Sequence, residues 1–89
     1  MARLKLSVCC LTNERPAMVA CMLWLLRDVA DEIVVAMDSR VDTTAMAPLH
    51  DVADTLTRFE YDGTPERARP WLVQLCRNPA VLMLSLIHI

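Results

Sequence analysis

The chain has 89 residues, a formal net charge of −2 and 55% hydrophobic residues. This length allows one domain at most, and a small one for an α/β protein. The mild acidity excludes the basic patch or stripe that nucleic-acid binding requires. Gly63 is the single glycine, so neither the dinucleotide-binding motif G-x-G-x-x-G nor the P-loop motif G-x-x-x-x-G-K-[ST] can be written from this sequence.

The cysteines Cys9, Cys10, Cys21 and Cys76 show no C-x-x-C spacing, which argues against a zinc site. Cys9 and Cys10 are adjacent in an apolar segment, so on a strand their side chains would point to opposite faces. We interpret them as buried, reduced thiols and expect a cytoplasmic protein, because disulfides are rare in a reducing cytosol. The longest charge-free segments are shorter than the ~20 residues of a membrane-spanning helix, and we expect no signal peptide.

Residues 4–11 alternate and then become continuously apolar, which predicts a first strand. Residues 16–29 predict a helix, with Pro16 suited to its first turn. The helix is apolar on nearly every side, more so than a surface helix usually is. We expect its buried face to be formed by Met18, Met22, Leu25 and Val29, widened by Val19, Leu23 and Leu26.

Residues 33–37 form a short, β-branched apolar run between acidic residues. Such a run is typical of a strand buried on both faces in a parallel sheet. Asp42 or Thr43 is expected to cap a short helix that ends near residue 52. Pro48 predicts that this helix is irregular or starts late.

Residues 54–60 alternate and predict a third strand, less buried than the second. The next helix begins at Thr64 or at Pro70 and runs to about residue 77. A fourth strand begins at residues 80–84. The order β-α-β-α-β-α-β predicts a Rossmann-like α/β fold with a parallel sheet in the strand order 3-2-1-4.

The last six residues read Leu-Ser-Leu-Ile-His-Ile. This string looks like the conceptual translation of a transposase-type sequencing adapter, so we expect residues 84–89 to be an artefact and His88 to carry no function. The native part of the chain would then end at about Met83. The alternative is a genuine apolar strand tail, which composition alone favours.

Asp38 follows the second strand directly, and Thr12, Asn13 and Glu14 follow the first. Ligands of open α/β sheets bind at the carboxyl ends of the strands. We therefore expect Thr12, Glu14 and Asp38 to converge at this edge of the sheet. The alternative for Asp38 is a local Asx turn, which Asp and Ser favour without any ligand.

Three segments carry a family resemblance: Thr12-Asn13-Glu14, the block Ala30-Asp31-Glu32-Ile33-Val34-Val35 leading into Asp38-Ser39-Arg40-Val41-Asp42, and Glu66-Arg67 before Trp71-Leu72. In this order and spacing they resemble the family-2-type glycosyltransferases of the GT-A fold. The resemblance covers residues 1–83. It implies the nucleotide-sugar-binding part of an enzyme that moves a sugar from a nucleotide-sugar donor to an acceptor.

By this resemblance, Thr12, Asn13 and Glu14 would line the nucleoside pocket and Asp38 would hydrogen-bond the base. Arg69 or Arg67 would face the diphosphate, because a guanidinium matches phosphate geometry. The alternative for both arginines is a solvated, basic helix start.

The resemblance also implies Mg²⁺ or Mn²⁺, held in the intact parent by an Asp-x-Asp motif after the fourth strand. No acidic residue follows Glu66. We therefore expect these residues to bind no metal of that kind, to bind nucleotide poorly and to catalyse no transfer.

Two other interpretations remain open. A non-catalytic flavodoxin-like or receiver-like module would need an acidic cluster after the first strand and a later lysine, but no lysine follows Lys5. A nucleotidyltransferase of related fold would need a glycine-rich loop after the first strand.

Overall fold

The computed structural model describes residues 5–13, 15–60 and 68–86. Within these ranges one sheet is formed by β1 (Leu6–Thr12), β2 (Glu32–Asp38), β3 (Thr55–Phe59) and β4 (Ala80–Leu86). Its pairings are parallel and its order is β3-β2-β1-β4. The predicted Rossmann-like α/β class and the predicted strand order are confirmed. The order differs from the flavodoxin-like order 2-1-3-4-5, in which β3 would pair with β1.

Helices cover both faces of this sheet, as its two-sided burial requires. The first face carries α1 (Pro16–Leu26), a short 3-10 helix (Thr43–Met46) and α2 (Ala47–His50), and the second carries α3 (Ala68–Gln74). Alternate residues of β1 and β2 therefore belong to two separate cores. Cys10 lies in the first core and Cys9 in the second, both fully buried, so their predicted placement on opposite faces is confirmed.

The buried face of α1 agrees with the predicted one only in part. Val19 and Leu23 are buried as expected, together with Ala20, and Met22 and Leu26 pack partly buried against the same core. Leu25, however, is 83% exposed, and Met18 and Val29 are also exposed. A helix that is apolar almost all round has no periodic signal to define its inner face, so tertiary packing decides it. The small side chain of Ala20 lies on the face turned to the sheet.

The helix α1 also ends earlier than predicted, at Leu26 instead of residue 29. The Arg27 side chain turns back across the chain end: its Nη2 donates to the carbonyl oxygen of Ala30 at 3.3 Å, and its Nη1 donates to the carbonyl oxygen of Val52 at 3.0 Å. The backbone N–H of Ala30 bonds to the Leu26 carbonyl at 3.0 Å. These bonds close the helix and direct the chain into β2.

The two later helices follow their proline signals. The Asp42 carboxylate accepts from the backbone N–H of Thr44 at 3.0 Å and caps the 3-10 helix, as predicted. Pro48 lies in the first turn of α2, which starts late. Pro70 lies in the first turn of α3, where its missing N–H costs no helical bond. This helix ends at Gln74 and not near residue 77, and its predicted start at Thr64 lies outside the described residues.

The strand β4 extends to Leu86 and so includes part of the adapter-like string. Its last residues Leu84, Ser85 and Leu86 pair in parallel with Cys10, Leu11 and Thr12. An apolar string next to an open strand edge extends the ladder whatever its origin. The pairing therefore leaves both interpretations of residues 84–89 open.

The amino edge of the sheet is held by carboxylates that accept from backbone N–H groups. The Oδ2 of Asp31 accepts from Leu6 at 2.7 Å, and the Oδ2 of Asp54 accepts from Ile33 at 2.8 Å. Glu32, which is 8% exposed, accepts through Oε1 from the Ser7 hydroxyl at 2.7 Å and from the N–H of Arg77 at 2.8 Å. These acids have structural partners at the edge opposite to Asp38.

Candidate functional site

Two of the predicted site residues lie at the carboxyl ends of neighbouring strands. Thr12 is the last residue of β1 and pairs with Met37, so Asp38 stands one position further along β2. Both Thr12 and Asp38 are buried, and Asn13 is half-buried in the loop that follows β1. The strand order reverses at β1, because β2 lies on one side of it and β4 on the other. Ligands of doubly wound sheets bind at such a reversal.

Asp38 forms an Asx turn, which the sequence analysis gave as the alternative to a ligand-binding role. Its Oδ1 accepts from the backbone N–H of Arg40 at 3.0 Å, two residues on. The chain also turns through a bond of 3.0 Å from the Val41 N–H to the Asp38 carbonyl oxygen. The Ser39 N–H continues the sheet by donating to the Phe59 carbonyl oxygen at 2.8 Å. The carboxylate is therefore held in place by the backbone.

The second partner of this carboxylate is the guanidinium of Arg40. Its Nη2 donates to Oδ2 at 2.6 Å, and its Nε lies 3.2 Å from both oxygens. This hydrogen bonding by the Arg40 side chain lowers the pKa of Asp38 from its ordinary value, although burial acts in the opposite direction. The Arg40 side chain is 69% exposed while that of Asp38 is 2% exposed. An anionic carboxylate thus lies below a cation that faces solvent.

Arg58, near the end of β3, organises the loop that follows Asp38. Its Nη1 donates to the Thr43 hydroxyl at 2.7 Å, and its Nη2 donates to the carbonyl oxygens of Ser39 and Val41. The charge of Arg58 also contributes to the lowered pKa of Asp38. One side chain therefore ties the loop after β2 to the neighbouring strand.

The remaining predicted site residues are more scattered. Arg69 is half-buried in the first turn of α3, on the other face of the sheet from α1. Because α3 follows β3 in a parallel sheet, its amino end lies toward the carboxyl edge, the same edge as Asp38. Glu14 and Arg67 lie outside the described residues. The binding roles of Thr12, Asn13, Glu14, Asp38 and Arg69 stay predictions.

Sequence reasoning did not identify Arg40 and Arg58 as partners of this edge. The sequence did contain a signal for Arg58, because this charged residue stands among the threonine and apolar residues of β3, near the carboxyl end of the strand. Arg40 gave a weaker signal, because the Asp and Ser before it favour a turn without any ligand. Only the structure shows that both cations act on the same loop.

The divalent-metal site implied by the resemblance does not fit the described residues. Among them, no group of three or more His, Cys, Asp or Glu side chains is placed to hold a metal ion. The Asp38 carboxylate is already occupied by Arg40, and the end of β4 offers Leu84, Ser85 and Leu86.

In the part of the chain that the structure describes, no helix combines the length and the apolar character needed to cross a bilayer. Comparisons of the chain with protein-family models, with curated proteins and with solved structures gave no match.

Proposed function

We propose that this chain supplies the nucleotide-sugar-binding part of a glycosyltransferase, in which the carboxyl edge of β1 and β2 receives the nucleoside. The observation that carries the proposal is the buried, ionised carboxylate of Asp38, next to the end of β1 where the strand order reverses. The observed strand order supports a nucleotide-binding half more than a flavodoxin-like module. The sequence resemblance supports the same choice.

Asp38 has the chemistry that recognition of a nucleoside needs. Its lowered pKa keeps it anionic at neutral pH, so it only accepts hydrogen bonds. An imide N–H of a uracil-type base or the hydroxyls of a ribose would donate to it. The Thr12 hydroxyl and the Asn13 amide, at the end of the neighbouring strand, can both donate and accept.

Entry of a nucleoside requires that Arg40 leaves the carboxylate. The Arg40 side chain is mostly exposed, and the Asx turn holds Asp38 in place through the backbone N–H of Arg40 when the guanidinium turns away. A guanidinium released in this way is next to the bound nucleotide and matches the geometry of a phosphate. We therefore propose Arg40, in addition to Arg69, as a partner of the diphosphate.

The reduced state of the cysteine thiols fits a cytoplasmic location. Cys9, Cys10, Cys21 and Cys76 are free. We propose a cytoplasmic location, where such thiols stay reduced.

A nuclear magnetic resonance titration tests this function on the chain itself. Uridine, guanosine and thymidine diphosphate sugars would be added to the labelled protein, because chemical-shift changes detect weak binding. We expect one of them to shift the amide signals of Thr12, Asn13, Ser39 and Arg40. The variant Asp38→Asn should weaken that binding by about 1–3 kcal/mol, or roughly 5- to 150-fold.

The matched control is Asp51→Asn, which changes an exposed acid next to α2 and should leave the affinity unchanged. Unmoved signals at the carboxyl edge with every donor would contradict the proposal. Equal weakening by both variants would show that only net charge matters.

A further inference from the structure

Three sulfur-containing side chains belong to one core, on the sheet face that α3 covers. The Sγ atom of Cys9 lies 3.7 Å from the Sδ atom of Met83. Cys76, like Met83, is partly buried and packs against the core that contains Cys9. Cys9 and Met83 are register partners on β1 and β4, and Cys76 belongs to the segment between α3 and β4. Three different segments thus contribute a sulfur-containing side chain to the same core.

The spacing of these atoms fits two ligands of one metal ion. A metal–thiolate bond is about 2.3 Å long, so two sulfur ligands at an angle of about 110° stand about 3.8 Å apart. The separation of 3.7 Å between Cys9 and Met83 is close to this value. A metal ion would therefore not require β1 and β4 to move apart.

The type of ligand selects the type of ion. Thiolates and thioethers are soft ligands that favour Cu(I), whereas Mg²⁺ and Mn²⁺ prefer oxygen ligands. A structural zinc site needs four ligands, chosen from Cys, His, Asp and Glu, and the described residues bring no three of these together. We propose that Cys9, Cys76 and Met83 form a three-sulfur binding site for Cu(I).

Cu(I) can reach this site from the side of β4. Cys9 is fully buried, whereas Cys76 and Met83 are half-buried at the margin of the same core. The thiol of Cys76 also makes a long contact of 3.7 Å with the Leu72 carbonyl oxygen. Cys76 and Met83 would therefore contact the ion first, and Cys9 would complete the site from inside.

Binding exchanges protons for the metal without any change of oxidation state. The two thiols each release a proton to solvent, and the two thiolates and the thioether each donate an electron pair to one Cu(I). Because protons compete with the metal ion for the two thiolates, the affinity should rise with pH.

The test uses the full 89-residue chain, reduced and free of oxygen, in a Cys21→Ser background that removes the exposed thiol. Cu(I) is added in competition with a chromogenic Cu(I) chelator of known affinity. We expect one equivalent to be retained, with an ultraviolet thiolate-to-copper charge-transfer band. X-ray absorption should show sulfur as the only type of ligand.

Two variants and one control locate the site. Cys9→Ala should weaken Cu(I) binding at least a hundredfold, and Met83→Leu at least severalfold. Met83→Leu conserves volume and keeps the fold, so it tests the site even where Cys9→Ala does not fold. The matched control is Cys10→Ala, which removes the adjacent buried thiol on the opposite face and should leave the affinity unchanged. Complete loss of copper to the chelator, or equal effects of Cys9→Ala and Cys10→Ala, would overturn the proposal.

Discussion

The pair of Asp38 and Arg40 allows a quantitative test of the carboxyl edge. Replacing Arg40 with Met keeps most of the side-chain stem and removes the guanidinium. The carboxylate then loses three contacts, at 2.6, 3.2 and 3.2 Å, and keeps the backbone N–H at 3.0 Å. A hydrogen bond to a charged group contributes about 1.5–3 kcal/mol. Because Arg40 is mostly exposed and water can take its place, we expect a loss of about 1–2 kcal/mol in the free energy of unfolding.

The effect should depend on pH with a defined sign. The pKa of Asp38 is lowered from 3.8 in the folded chain, so the unfolded chain binds the proton more readily. The stabilisation from the pair is therefore present above about pH 4 and is lost as the pH falls through the folded pKa. The Arg40→Met variant should differ most from the parent at neutral pH and should approach it as the pH falls below the folded pKa of Asp38.

Urea denaturation of the parent, Arg40→Met, Asp38→Asn and the double variant gives the coupling energy directly. We expect about 1 kcal/mol at pH 7 in low salt, and less in high salt. The control is Arg15→Met, which removes an exposed guanidinium just before α1. A coupling energy of zero at pH 7, or one that does not change at low pH, would refute the assignment of the lowered pKa to Arg40.

Three further predictions concern the fold. Burial raises the pKa of Cys10 from 9.0 to about 12, so the stability that the protonated thiol contributes is present below pH 9 and is lost as the pH rises toward 12. Cys10→Ala should therefore reduce the alkaline fall in unfolding free energy by at most about 1.4 kcal/mol per pH unit. An unchanged slope of unfolding free energy against pH would contradict this. Glu32→Leu should lower the unfolding free energy by about 2–3 kcal/mol in urea denaturation, because the Ser7 hydroxyl and the Arg77 N–H lose their acceptor. Glu32→Gln keeps one acceptor oxygen and should lower it less. Equal losses in the two variants would show that the charge of Glu32 is the cause. Leu25→Lys should change the unfolding free energy by less than about 0.5 kcal/mol, because Leu25 is exposed. A loss as large as that of Leu23→Lys would show that this face is packed.

The sheet could be predicted from sequence because its signals are local and strong. The apolar run of β2 is short, β-branched and bounded by acids, and that of β1 is nearly continuous. The alternation of strands with helices then leaves few parallel topologies. The inner face of α1 could be predicted only in part. Its sequence is apolar in every direction, so the choice of Val19, Ala20 and Leu23 depends on the surface of the sheet below.

The partners of the site residues escaped prediction for a related reason. Arg58 reaches Thr43 and the carbonyl oxygens after β2 across 15 to 19 residues of sequence. Cys9 and Met83 are 74 residues apart. Contacts of this range depend on register, and register is set only when the whole sheet assembles. Residue type and position along a strand could therefore place Asp38 at the right edge without showing what contacts it.

The carboxylates of this chain differ in what a ligand would have to displace. At the amino edge, Asp31, Asp54 and Glu32 accept from backbone N–H groups, and removing those bonds would open the ends of β1 and β2. At the carboxyl edge, Asp38 is held by one backbone N–H and covered by a side chain that faces solvent. Turning that side chain away would leave Oδ2 without the Arg40 guanidinium and would keep the backbone hydrogen bond to Oδ1. Of these four carboxylates, Asp38 is therefore the one at which the proposed nucleoside would compete with a solvent-facing side chain instead of with the backbone hydrogen bonds of the amino edge.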